Sequence, residues 1–146
     1  MSADPTTAAL HVRALIELTR RLTSRLEAEA SALEERRTRD LVASQAGTQE
    51  MANTYRRESA QLKARPDVLR AATPADRREL IRATEAFETV LAAHARVVEA
   101  ARTISEGLVR TIAGEIAAQR GSPSAYGAAG HATQPDARAV ALNRTA

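Results

Sequence analysis

Three imidazoles, His11, His94 and His131, are the side chains of this 146-residue chain best suited to acid–base or metal chemistry, and their spacing favours neither. No two stand four apart, the separation that sets a pair of ligands on one helix face, and there is no Cys to complete a thiolate site. Carboxylates do recur at helical spacing, in Glu85 with Glu88 and around Glu27 and Glu29. A di-iron bundle needs Glu-x-x-His from two helices, and that motif is absent between Met1 and Ala146. Glu85 and Glu88 therefore read as surface charges. His94, in an apolar run, reads as an imidazole hydrogen-bonded within a bundle. No Gly-rich phosphate loop, Walker lysine or Gly-x-Ser-x-Gly elbow occurs. Gly121, Gly127 and Gly130 follow a helical pattern rather than a strand, which excludes a dinucleotide fingerprint. The expectation is a protein without catalytic residues, cofactor or metal.

The elements that must position these residues are helices. Hydrophobic residues make up 44% of the chain, but aromatics only 2%, namely Tyr55, Phe87 and Tyr126. The 33 Ala residues, with Leu, Val and Ile, supply nearly all the apolar bulk, which favours helix over sheet. No run approaches the roughly 18 apolar residues of a membrane span, and the N-terminus lacks a secretory signal. The formal net charge is +3, with a single Lys (Lys63) among the 21 basic residues. That Arg bias, alongside so much Ala, points to the composition of the encoding genome. Acids and bases are interleaved, as in Glu34-Glu35-Arg36-Arg37 and Asp76-Arg77-Arg78-Glu79, so no basic stripe for nucleic acid stands out. The class expected is all-α, soluble and cytoplasmic, bound to neither nucleic acid nor membrane.

Asp4-Pro5 is a helix start, Asp capping free N–H groups and Pro fitting the first position. Leu15, Leu18, Leu22, Leu26, Ala30, Leu33 and Leu41 then form an apolar stripe. It weakens where Arg36, Arg37 and Arg39 crowd together and Gly47 lowers helix propensity, so a break is expected within residues 36–48. Met51, Tyr55 and Leu62 resume it. Pro66 ends the helix near Ala64. Thr73-Pro74-Ala75-Asp76 is the strongest start signal, with Thr73 as cap and Asp76 three residues on. The last helix repeats Leu80, Thr84, Phe87, Leu91, His94, Val98, Ala101, Ser105, Leu108 and Ile112 in heptad steps, flanked by Val90, Val97 and Ile104. Helices are expected over about 5–36, 38–64 and 74–120, with one turn near Val68. They should form an elongated antiparallel helical hairpin or a three-helix coiled-coil-like bundle. From Gly121 the Gly, Pro and Ser content predicts a disordered tail over 121–146.

Such helices cover each other on one side only. Leu41, Val42, Val90, Val97, Ile104, Val109 and Ile116 are left to form a groove for a further helix. From periodicity alone, its occupant is equally a partner helix, a second copy of the chain, or the chain's own segment around Val68-Leu69.

The order of parts resembles the FlgN type of flagellar export chaperone. A Leu-zippered first helix carries the acidic stretch Leu22-x-x-x-Leu26-Glu27-Ala28-Glu29. A polar helix with sparse apolar anchors follows from Leu41 to Leu62, then a long last helix and the tail Ser124-Ala125-Tyr126-Gly127-Ala128-Ala129-Gly130. The Ala- and Arg-rich composition is similar to divergent members described as FlbY-like flagellar proteins. The resemblance implies a chaperone that grasps the C-terminal helices of hook-associated junction proteins and prevents their premature assembly. It points to Val90, Val97, Ile104, Leu108, Ile112 and Ile116 as client contacts, with Tyr126 as an outlying one. The Pro-interrupted C-terminus past Gly130 departs from the family pattern and leaves Arg138 to Leu142 without an implied role. The competing class is a structural or regulatory coiled-coil protein of the basal body or hook, which should self-associate.

Overall fold

The computed structural model describes residues 3–121, so the expected tail beyond Gly121, with Tyr126, lies outside the described residues. Four α-helices follow one another: α1 (Pro5–Glu34), α2 (Thr38–Ala64), α3 (Pro66–Ala71) and α4 (Pro74–Gly121). The all-α expectation holds. The described residues divide into two units, residues 3–102 and residues 103–121.

Local chemistry sets the boundaries. Asp4 caps α1, its carboxylate accepting from the Thr7 N–H at 3.0 Å with Pro5 at the first helical position. At the other end, the Arg37 N–H donates to the Ala32 carbonyl at 2.7 Å and the Arg36 N–H to that of Leu33 at 3.2 Å. These two bonds make a Schellman cap, with Arg36 at φ 57° in the left-handed position usually given to Gly. The expected break within 36–48 is therefore the turn at Glu35–Arg37, and Gly47 lies inside α2. Arg65, pushed to φ −125° by Pro66, ends α2 at Ala64. The turn expected around Val68 extends to the six residues of α3. Thr73 caps α4, accepting from the Asp76 N–H at 3.1 Å.

In the first unit, α1, α2 and the N-terminal part of α4 run up, down and up. Going up α1, Arg13 meets Asp76, Leu22 and Leu26 meet Phe87, and Glu29 meets His94. These pairs climb α1 and α4 together, so the two helices are parallel. Against α2 the order reverses, with His11 beside Glu58 and Glu29 beside Thr48. Of the two arrangements expected, the three-helix one forms. The reversal at Glu35–Arg37 lets residues 5–64 pack on themselves, so no single long helix pairs with α4 as a hairpin.

The buried residues of α1 are Ala8, Val12, Leu15, Ile16, Thr19, Leu22, Leu26, Glu29 and Ala32, and from Ala8 to Glu29 all but Ile16 follow alternating four- and three-residue steps. One core cluster joins Val12, Leu15 and Ile16 to Leu62, Val68 and Ala83. A second joins Leu22, Leu26 and Phe87, with Met51, Tyr55 and Val90 packed on it. The Tyr55 and Phe87 rings lie 4.8 Å apart at 49°. Phe87 ties α4 to both other long helices, and removing a buried Phe side chain costs about 3–5 kcal/mol.

Candidate functional site

The inward face of α4 in the first unit departs from the expected seam beyond Phe87. Ala83 and Phe87 are buried, and Leu80, Val90, His94, Val97 and Ala101 are half-buried. Leu91 and Val98 are exposed. Thr84 is half-buried beside Ala83, and beyond Phe87 the seam runs through Val90 and Val97 rather than Leu91 and Val98. The small Ala83 fits close to α1, where a larger residue would hold the helices apart. Val90, an expected client contact, packs on the chain's own Leu22–Leu26–Phe87 cluster.

In the second unit, Thr103 to Gly121 is helical and every described side chain is exposed. Ile104, Leu108, Ile112 and Ile116 follow at four-residue steps and are 65%, 59%, 47% and 45% exposed. Val109, beside them, is also exposed. Single exposed apolar residues are common, whereas these form a contiguous row on one helix face. Four of the seven expected contact residues lie on this row, Val90 and Val97 lie half-buried in the first unit, and Tyr126 is outside the described residues.

A polar cluster closes the first unit where α1, α2 and α4 meet. Glu29 is buried, and its carboxylate accepts from the Thr48 hydroxyl at 2.5 Å and the Ser44 hydroxyl at 2.9 Å. Its other oxygen lies 3.6 Å from His94 Nε2. Arg25 Nε donates to Thr48 Oγ1 at 3.0 Å, and a terminal nitrogen of its guanidinium donates to the Ser44 carbonyl at 3.1 Å. His94 is half-buried within the bundle as expected, but at this distance its ring stands beside the carboxylate without the expected hydrogen bond. The two hydroxyls satisfy the buried carboxyl group. Among the described residues, no three His, Asp or Glu side chains gather as metal ligands.

A groove of about 480 Å3 lies alongside this core. Leu15 and Thr19 of α1 floor it, Tyr55, Ala60 and Lys63 of α2 form one wall, and Thr84 with Glu88 of α4 form the other.

Known proteins place the chain. Flagellar basal-body protein FlbY of Caulobacter vibrioides is 41% identical to it over 138 residues, which span 92% of this chain and 93% of FlbY. The chain belongs to the FlbY family. No protein-family model matches it, and no solved structure matches at a significant level.

The FlbY-family chain therefore carries three features of different legibility. The exposed row on α4 follows from the apolar periodicity of the sequence. The Glu29 cluster was missed, because Glu29 and Thr19 look like interruptions of an apolar stripe. Continuing the four–three alternation from Ala8 through Val12 and Leu15 would have placed both on the buried face. The groove depends on how α2 and α4 diverge over α1, for which one sequence gives no signal. None of the described helices of this FlbY-family chain is long and apolar enough to cross a membrane.

Proposed function

We propose that the chain is a cytoplasmic, non-enzymatic binding protein of flagellum assembly that holds a partner helix on the apolar row of α4. The observation that carries this reading is the exposure of Ile104, Leu108, Ile112 and Ile116 on successive turns. An amphipathic partner helix buries such a row through apolar anchors at three- and four-residue spacing. Membership in the FlbY family supports the flagellar setting, since FlbY is named as a basal-body protein. The finer reading is a chaperone of the FlgN type, with the C-terminal helices of hook-associated junction proteins as clients. No nucleic acid, membrane, cofactor or metal enters this function.

The test is light scattering after size-exclusion chromatography, with the chain alone and with C-terminal fragments of hook-junction proteins from the same organism. A discrete one-to-one complex, lost in Ile104→Asp with Leu108→Asp at unchanged helicity, is the expected result. A large assembly indifferent to those fragments would support the second reading, a structural coiled-coil component of the basal body. That alternative is favoured by the name of the relative.

A further inference from the structure

The first unit has a groove without a helix, and the second has a helix without a groove. We infer that the apolar row of α4 from one copy of this chain docks in the α2–α4 groove of another, giving a head-to-tail association. This stands independently of the client reading, because it rests on the two uncovered surfaces alone.

The charges argue for this occupant. Arg56 and Lys63 line the α2 wall and Glu88 the α4 wall, and none of the three has an ion-pair partner among the described residues. Opposite charges on facing walls, left unpaired, suit a ligand helix with an acidic edge and a basic edge. The row on α4 has both. At roughly 3.6 residues per turn, Glu115 falls on the Leu108 side of the row and Arg120 on the Ile116 side. Neither has an ion-pair partner among the described residues. The apolar match is Ile104, Leu108 and Ile112 over Leu15, Tyr55 and Ala60.

The two surfaces are different patches, so each copy offers one of each. Such a heterologous contact extends from copy to copy unless its rotation closes a ring. A single helical row buries far less than the roughly 800 Å2 per partner of a stable complex, so the association should be weak and concentration-dependent.

Sedimentation of the full chain over a concentration series tests this. The expected mass rises above 15.7 kDa without stopping at a dimer. Ala60→Arg fills the groove at an exposed position, and Leu108→Glu disrupts an exposed row, so both variants should keep wild-type helicity. Each alone should be monomeric, with association weakened about tenfold or more. Mixed, they should give a discrete heterodimer, because one retains the row and the other the groove. Lys63→Glu should weaken the wild-type association through the rim charge. A wild type monomeric at every concentration, a mixture that stays monomeric, or a closed dimer abolished by Leu108→Glu but not by Ala60→Arg would each overturn the inference. Ala60→Arg keeps the row intact and still binds a client helix, so this inference and the proposed function fail separately.

Discussion

Arg25 occupies the space that Gly47 leaves on α2. A Cβ on Gly47 would stand 2.8 Å from a terminal nitrogen of the Arg25 guanidinium, the group that holds Thr48 and the Ser44 carbonyl. A glycine inside a helix costs about 1 kcal/mol of propensity relative to Ala. Here that cost admits a side chain from α1 that would otherwise be turned away.

Gly47→Ala should consequently be close to neutral in the wild-type background. The propensity gain is opposed by weakening of the Arg25 hydrogen bonds, each worth about 0.5–1.5 kcal/mol. In an Arg25→Ala background the same change should stabilise by about 1 kcal/mol. Urea denaturation of the four proteins measures the coupling. Equal gains in both backgrounds would show that the guanidinium does not use this space.

Glu29 should be the costliest polar residue of the core to truncate. Glu29→Ala removes the acceptor of two hydroxyls, for an expected loss of about 1–3 kcal/mol. Glu29→Gln retains an acceptor and should cost less. Thr48→Val added to Glu29→Ala should cost less than the sum of the two single changes, because no donor is then left facing the missing carboxylate. Full additivity in denaturation midpoints would dismiss the network as a unit.

The helices were legible in the sequence because their signals are local. Asp4-Pro5, Pro66 and Thr73-Pro74 each act through their own backbone chemistry, and all three operate as expected. The apolar pattern confined the α1–α2 turn only to residues 36–48, because its left-handed residue is Arg36, where the usual signal is Gly. On α4, two heptad registers share Leu80, Phe87, His94 and Ala101. The choice between Leu91 and Val90 as the inward neighbour depends on α1 and α2, which no single-helix pattern contains. The row from Ile104 to Ile116 was readable as apolar spacing, whereas its exposure required the fold.

Arg36 makes the first turn of the chain improvable. A non-glycine residue in the left-handed region pays about 1–2 kcal/mol, part of which Gly returns through its greater freedom in the unfolded state. Arg36→Gly should thus raise stability by about 0.5–1 kcal/mol, while the β-branched Arg36→Val should lower it. Thermal melts of the three proteins decide this. A melting point reduced by Arg36→Gly would mean that the Arg36 side chain contributes more than its backbone costs.

The Arg13–Asp76 contact joins α1 to the start of α4 and should shape the acid limb of stability. Arg13 Nε donates to Asp76 Oδ1 at 3.0 Å, and the guanidinium holds the carboxyl below its usual range, aided by the Thr73 cap. The folded chain therefore keeps Asp76 ionised at pH values where an unfolded Asp has taken up its proton. This contribution is fully present above the ordinary Asp pKa of about 3.9, and disappears as pH falls through the lower folded value. Arg13→Met removes the donor, so it should reduce the melting point at pH 7. Its deficit relative to wild type should shrink as the pH drops below about 4, because the wild type then loses the contribution as well. The difference between the two proteins, followed from pH 7 to pH 3, is the measurement. A constant difference across that range would assign the effect of Arg13 to packing of its aliphatic stem on α4 and not to its charge.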